Sequence, residues 1–291
     1  PKGIGKFFSR IGEMTKGGRG DHEDGYAKEL IGYAAVKRQY AHKFGVDVYS
    51  SNKVLQKELN SVTWAGFAGG MTVTVGTMPL KKASAAAFYA VKGTSLTYGM
   101  NRILLDTSPE DLQQLNREKM VEMGVREAVI KEFLHNPAYS PRHKTILVHA
   151  LAEMQGVKNR EQFIKKALFA EYEEEAFLYQ RMAEMLYGYH THVKPIKELV
   201  PVRKFAVGYT SDQTVVATFP IDLLYWTELS DLGSAALAKL DLSGRPVKKT
   251  ELWFTGSLTP KAMQELSARG LEIKERAGEI LMPAEEPSEE Q

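Results

Sequence analysis

The chain is 291 residues long, 43% hydrophobic and 10% aromatic, enough to bury one large core or two ordinary ones, which excludes wholesale disorder. It contains no cysteine, so disulfides, thiolate metal sites and cysteine nucleophiles are excluded together. The formal net charge is only +2, and a body this close to neutral argues against a protein of duplex nucleic acid.

What charge imbalance exists lies at the two ends. Lys2, Lys6, Arg10, Lys16 and Arg19 gather at the start, and Glu285, Glu286, Glu289 and Glu290 at the finish. Within the opening stretch Ile4, Phe7, Phe8, Ile11 and Met14 recur at helical spacing, with Lys6 and Arg10 on the other side. Basic amphipathic segments lie on anionic membranes or pack on a partner. Lys6, Phe7, Phe8, Arg10 and Ile11 are therefore candidate contacts with an anionic membrane surface or a protein partner. A terminal helix folded onto its own chain is the plainer alternative. Thr15 to Gly20 reads as a flexible linker. No apolar run in this stretch suits a secretory signal, and a cytoplasmic or membrane-peripheral location is expected.

A helix is expected from Tyr26 to Phe44, stopped by Gly45. Ser50, Ser51 or Asn52 can cap the next, whose stripe Leu55, Leu59, Val62 and Gly66 leads into the least charged part of the chain, Ser61 to Leu105. No acid occurs between Glu58 and Asp106, and the only bases there are Lys81, Lys82, Lys92 and Arg102. A segment this bare is buried in protein or in lipid. Its halves, 61–80 and 83–105, meet at Lys81-Lys82 behind Pro79 and read as a hairpin with a basic tip. The second half is helical in pattern. In the first, Met71 to Val75 alternates with period two, so a strand stays open beside a helix. Trp64, Phe67, Lys81 and Lys82 join the candidate membrane or partner contacts. Gly66-x-x-x-Gly70 and the alanines of 83–90 offer small-residue faces for a homo-oligomer, although neither half is an unbroken apolar run of about twenty residues.

The firmest local signal is Thr107-Ser108-Pro109-Glu110-Asp111: Ser108 caps, Pro109 takes the first helical position, and two acids meet the positive helix end. That helix should reach about Met123, where Gly124 interrupts it, and a shorter one should end near His135. Ser140 should cap a helix from Arg142 to about Gln155. A single long helix is then expected from Arg160 to Tyr189, with the stripe Ile164, Leu168, Glu171, Tyr172, Glu175, Leu178, Tyr179, Met182 and Leu186. Pro195 and Pro201 end the helical part.

From Val202 the texture changes. Lys204–Tyr209 and Thr214–Phe219 read as a β-hairpin around Thr210 to Gln213. A helix carrying Leu223, Leu224, Trp226, Leu229 and Leu232 follows, continuing to Leu240 with a break near Gly233. Glu251–Thr255 is a strand, Thr259-Pro260 opens a helix that Gly270 closes, and Leu271–Glu275 alternates again. A strand, short helix and strand in so few residues join parallel strands.

Three sets of residues carry candidate chemistry. Glu132-x-x-His135 places carboxylate and imidazole on one helical face, the spacing used by di-iron bundles. With His149, Glu171, Glu175, His190 and His192 it forms a pool of Zn or Fe ligands. The run Tyr172 to Glu184 resembles a ferritin-like helix of the rubrerythrin kind, although a second Glu-x-x-His is missing. Thr255-Gly256-Ser257, at a strand-to-helix turn, offers backbone N–H groups to a phosphate or carboxylate. The pattern Phe254-Thr255-Gly256-x-Leu258 resembles the opening of a BRCT phosphopeptide module, although too little chain follows to complete that fold. A tight structural turn is the plainer reading. The serines lack the Gly-x-Ser-x-Gly elbow of a hydrolase.

The expected fold is mainly α with a small α/β C-terminal part: a helical bundle around a low-charge hairpin, plus a compact β-hairpin and βαβ unit. The expected domains are a basic segment and linker (1–20), a helical domain with the buried hairpin 61–105 (21–200), a small α/β domain (202–282) and an acidic disordered tail (283–291). The function read from these features is a non-enzymatic interaction protein, acting at a membrane surface or in a larger assembly without a cofactor. A metal-dependent (Zn or di-iron) helical-bundle enzyme is one alternative. An anion- or phosphopeptide-binding module in the C-terminal unit is the other.

Overall fold

The computed structural model describes residues 33–41, 44, 46, 48–50, 52–68, 100, 103–104, 107–242 and 244–283, the side chains of 65–68 excepted. These residues belong to two compact units. Most of the expected hairpin (69–99), the basic segment 1–20 and the tail 284–291 lie outside the described residues.

In the first unit, helical residues 33–41 (α1) lie against Lys53–Ala68 (α2). Tyr33 meets Asn60 through its hydroxyl (3.1 Å) and Trp64 through its ring (4.7 Å between centroids), while Lys37 reaches Gln56 (2.7 Å). Pairings that run up one helix as they run down the other make the two antiparallel. Val36 and Ala41 of α1 and Leu59 of α2 are buried.

The second unit has the expected composition, mainly helical with a small mixed sheet at its C-terminal side. Its helices are α3 (Pro109–Glu122), α4 (Glu127–His135), α5 (Pro141–Glu153), α6 (Arg160–Ala167) and α7 (Glu173–Gly188). The expected caps form. Ser108 accepts from the Asp111 N–H (3.1 Å) and Ser140 from the His143 N–H (3.2 Å), each with proline at the first helical position. Helix α5 is buried nearly all round, from His143 through Leu151, as a helix packed between α3 and α7 must be. Its C-terminal carbonyls, at Leu151, Ala152 and Met154, all accept from the Arg160 guanidinium (3.1 to 3.3 Å). Charge-assisted bonds to such unsatisfied carbonyls stabilise a helix end. Arg160→Ala should therefore lower stability by about 2 kcal/mol in chemical denaturation, with Arg160→Lys recovering only part. An unchanged midpoint would show the contact to be idle.

The long helix expected over 160–189 is two helices. Lys165 and Lys166 sit in the last turn of α6, while Glu173, Glu174 and Glu175 fill the first turn of α7. Bases at one helix end followed by acids at the next beginning favour a break between them. Other side chains occupy the freed backbone: the Tyr139 hydroxyl donates to the Ala167 carbonyl (2.8 Å) and the Asn136 amide to that of Ala170 (3.1 Å). Helix α7 then closes in a π-turn, Tyr189–Val193.

The sheet contains β1 (Ile196–Val202), β2 (Phe205–Thr210), β3 (Thr214–Phe219), β5 (Lys249–Phe254) and β7 (Leu271–Lys274), in the order β1-β2-β3-β5-β7. The first three form an antiparallel meander and the last three run parallel. A two-residue β4 (Leu223–Leu224) pairs with β6 (Ser257–Leu258). One face of the sheet, with Leu199, Ala206, Val216 and Trp253, shares a core with α3 to α7. The other, with Val207, Val215, Ala217, Leu252 and Phe254, is covered by Leu237 of α8 (Glu228–Ala238) and by Ala262 and Leu266 of α9 (Pro260–Ala268). A last short turn of helix, α10 (Gly278–Leu281), returns to α7. Its Leu281 carbonyl stands where a Cβ on Gly188 would be, 1.8 Å away.

Candidate interaction surface

The metal-ligand pool is dispersed. Glu132 and His135 are exposed on α4, where the His135 ring meets the Lys131 carbonyl (2.7 Å). His149 is buried at the middle of α5; burial first, and the Lys119 charge second, push its pKa down to about 4. Glu175 turns back to accept from the Glu171 N–H (2.8 Å) at the start of α7. His190 accepts the Ile196 N–H on Nδ1 (3.0 Å), which ties the π-turn to β1, and His192 is exposed. Among the described residues, no three His, Asp or Glu side chains converge where a metal ion would be held.

The turn Thr255-Gly256-Ser257 uses its N–H groups within the chain. Thr255 donates to Phe219 (3.2 Å), Gly256 to Ile221 (2.9 Å) and Ser257 to Asp222 (2.9 Å). The chain passes so close that a Cβ on Gly256 would stand 1.9 Å from the Asp222 carbonyl oxygen. Backbone contact this near requires glycine. The helix start beyond it is closed by Thr259, which accepts from the Ala262 N–H.

Nearby on the sheet, Glu251 is buried yet charged. It accepts from the Tyr189 hydroxyl (3.2 Å) and the Trp253 indole (2.9 Å), and pairs with Lys249 (2.6 Å). Burial alone would raise its pKa; the bonds from Lys249, Trp253 and Tyr189 outweigh that and lower it. This is a satisfied knot joining the π-turn to β5, with a structural role.

Helix α8 departs from the ordinary pattern. Thr227 and Ser230 close its start in a reciprocal capping box. The side turned to the protein carries Ser230, Ser234 and Leu237. Ser234 is buried, donating to the Ser230 carbonyl (2.6 Å) and accepting from Arg269 (2.6 Å). Arg269 also pairs with Asp231, bonds the Asp231 carbonyl (2.6 Å) and lies over the Trp226 ring (5.0 Å). The helix is thereby fixed to the end of α9. Its outward side carries Leu229, which is 82% exposed, with Leu232, and Leu223 and Tyr225 just before it. Half-buried Gly233 and Ala236 continue the stripe. Ser234 and Leu237 are the buried residues of the helix, and Leu229 and Leu232 are left outside, where a surface helix that serves only its own fold carries polar side chains. Contiguous exposed apolar side chains mark contact sites. Exposed Asp222 and Glu228 flank the patch.

No family model, curated protein or solved structure matches this chain. Among the described residues no helix is long and apolar enough to cross a membrane. Of the candidate membrane contacts, only Trp64 has a described side chain, and it lies half-buried against Tyr33. Lys6, Phe7, Phe8, Arg10, Ile11, Lys81 and Lys82, with the Phe67 side chain, lie outside the described residues. The α8 face went unread in the sequence because leucines at helical spacing look like core. Ser234, buried beside Leu237 on the inner side, is the available signal.

Proposed function

We propose that this chain is a non-enzymatic interaction protein that enters a larger assembly by presenting the outer face of α8 to a protein partner. The observation that carries this reading is the exposed leucine pair: Leu229 and Leu232 face solvent on a helix that Ser234 and Arg269 hold in place from its inner side. Burying exposed leucines is the gain available on docking, about 1.5 to 3 kcal/mol for each side chain fully covered. Asp222 and Glu228 beside the patch disfavour an anionic lipid surface there and suit a protein partner. An anionic membrane surface remains a separate proposal for Lys6, Phe7, Phe8, Arg10 and Ile11, tested by flotation with anionic and neutral vesicles.

The test is a photocrosslinker at position 229 of the full chain, irradiated in its native extract. A discrete protein adduct is expected, lost when Leu232→Asp is added. Because Leu232 is exposed, that substitution should leave thermal stability within about 0.5 kcal/mol of wild type. A position-229 probe that labels nothing, or that labels equally with and without Leu232→Asp, would overturn the reading.

A further inference from the structure

The α8 surface is self-complementary, and we infer that its partner is a second copy of this chain, the two α8 helices packing antiparallel about a two-fold axis near Leu232 and Gly233. The inference rests on the reading of this face as an interaction surface and names its occupant. The first support is the spacing. In an antiparallel pair centred between 232 and 233, Leu229 of each copy lies opposite Ala236 of the other. Leu232 meets its own mate on one flank of the axis and Gly233 its mate on the other, where two facing glycines let the helices approach closely. An isologous interface needs this reciprocity: whatever one residue meets, its counterpart meets in return.

The second support is Gly233 itself. Glycine inside a helix costs roughly 1 kcal/mol relative to alanine. A Cβ at Gly233 would meet nothing within 4 Å, and the residue has no positive φ that would require glycine. The monomer's packing therefore gives no reason for it. At Gly188 and Gly256, by contrast, a Cβ would strike backbone of the same chain. A half-buried glycine with room for a Cβ, beside exposed leucines, is accounted for by the close approach of a second helix.

Charge supplies the third. Glu228 stands at the N-terminal end of α8 and Lys239 just past its C-terminal end, both exposed and without an ion-pair partner among the described residues. Antiparallel pairing brings each Glu228 to within a helical half-turn of the other copy's Lys239, and opposes the two helix dipoles. A parallel arrangement would set like charges together. A contact built on one short helix, with Leu223 and Tyr225 at its margins, falls at the small end of specific interfaces, so the dimer should be weak and reversible.

The experiment is sedimentation velocity on the purified full chain across micromolar concentrations. A concentration-dependent monomer–dimer equilibrium is expected. Leu229→Asp should weaken it about tenfold or more, the loss typical of an anchor side chain. Gly233→Ala gives the sharper discrimination: it should raise the thermal midpoint of the monomer, because the helix gains propensity, while weakening the dimer. Glu228→Lys and Lys239→Glu should each weaken association, and the double exchange should restore it, which a parallel or unrelated contact would not do. A chain that stays monomeric at every concentration, or dimerises equally with Leu229→Asp, overturns the inference. A position-229 crosslink to a different protein in extract, with no self-adduct in the purified chain, would sink the self-association while leaving the interaction reading intact.

Discussion

Gly188→Ala is expected to destabilise the second unit by about 3 kcal/mol, the upper range for overpacking a site that cannot relax. The added methyl would meet the carbonyl oxygen, carbonyl carbon and Cα of Leu281 at 1.8, 2.6 and 2.9 Å. All three are backbone atoms, so no rotamer change relieves the clash, and α10 must leave α7 or α7 must bend. Gly278→Ala is the control. It lies in α10 itself, has open space where its Cβ would stand, and needs no positive φ. Thermal unfolding of the two variants should differ by several degrees, with Gly278→Ala close to wild type. Equal midpoints would show that α10 is not seated on α7 in solution.

Acidification should weaken the helical core before most carboxylates titrate, and His149 is the reason. Its ordinary pKa of 6.5 falls to about 4 in the fold because burial, and then the Lys119 charge, disfavour the imidazolium. Between those values the unfolded chain binds a proton that the folded chain refuses, so stability rises with pH across the window. His149 therefore contributes nothing adverse above pH 6.5, and its full penalty develops as the pH falls toward 4. The depression corresponds to roughly 3 kcal/mol. Denaturant midpoints taken at intervals from pH 7 to pH 4 should show this loss, and His149→Leu should flatten it. If the variant and the wild type share one slope over that interval, His149 is not the titrating group. Below it other groups take over: Lys194 and Thr210 hold the Asp212 carboxyl well below the ordinary carboxylate range.

Local chemistry was legible in the sequence, and the sidedness of elements was not. The caps at Ser108, Ser140 and Thr259 could be read because each is a short-range bond from a side chain to an N–H a few residues ahead. The β2–β3 hairpin follows from β-rich runs with turn residues between them, and the parallel β5–β7 pair from two strand-like runs joined by a short helix. Strand β1 is hidden in the sequence because Pro195 precedes it, Pro201 lies within it, and Lys197 and Glu198 interrupt its apolar pattern. Proline is tolerated there because β1 is an edge strand. The break between α6 and α7 was hidden by an apolar stripe that runs through it; the switch from Lys165-Lys166 to Glu173-Glu174-Glu175 was the better guide. For α8, periodicity points to a helix with leucines, but Leu223 and Leu224 belong to β4, the helix starts at Glu228 and runs unbroken through Gly233, and only tertiary placement shows that Ser234 is inside and Leu229 outside. The dispersal of Glu132, His149 and His190 over three separate elements is likewise a property of packing, which no spacing along the chain encodes.

The return of α10 to α7 also bears on synthesis. Ala277 and Leu281 belong to the same apolar core as Leu112, Ile146 and Leu186. A ribosome releases α3 through α7 long before those two residues emerge. The emerging helices must therefore wait, with part of their apolar surface uncovered, while the whole sheet is translated. Collapsed nascent chains of this kind are the species that stick to one another or engage chaperones. Translation that pauses or stops between Gly188 and Ala277 should strand the chain in that state, making the passage from β1 to β7 the vulnerable interval in its biogenesis.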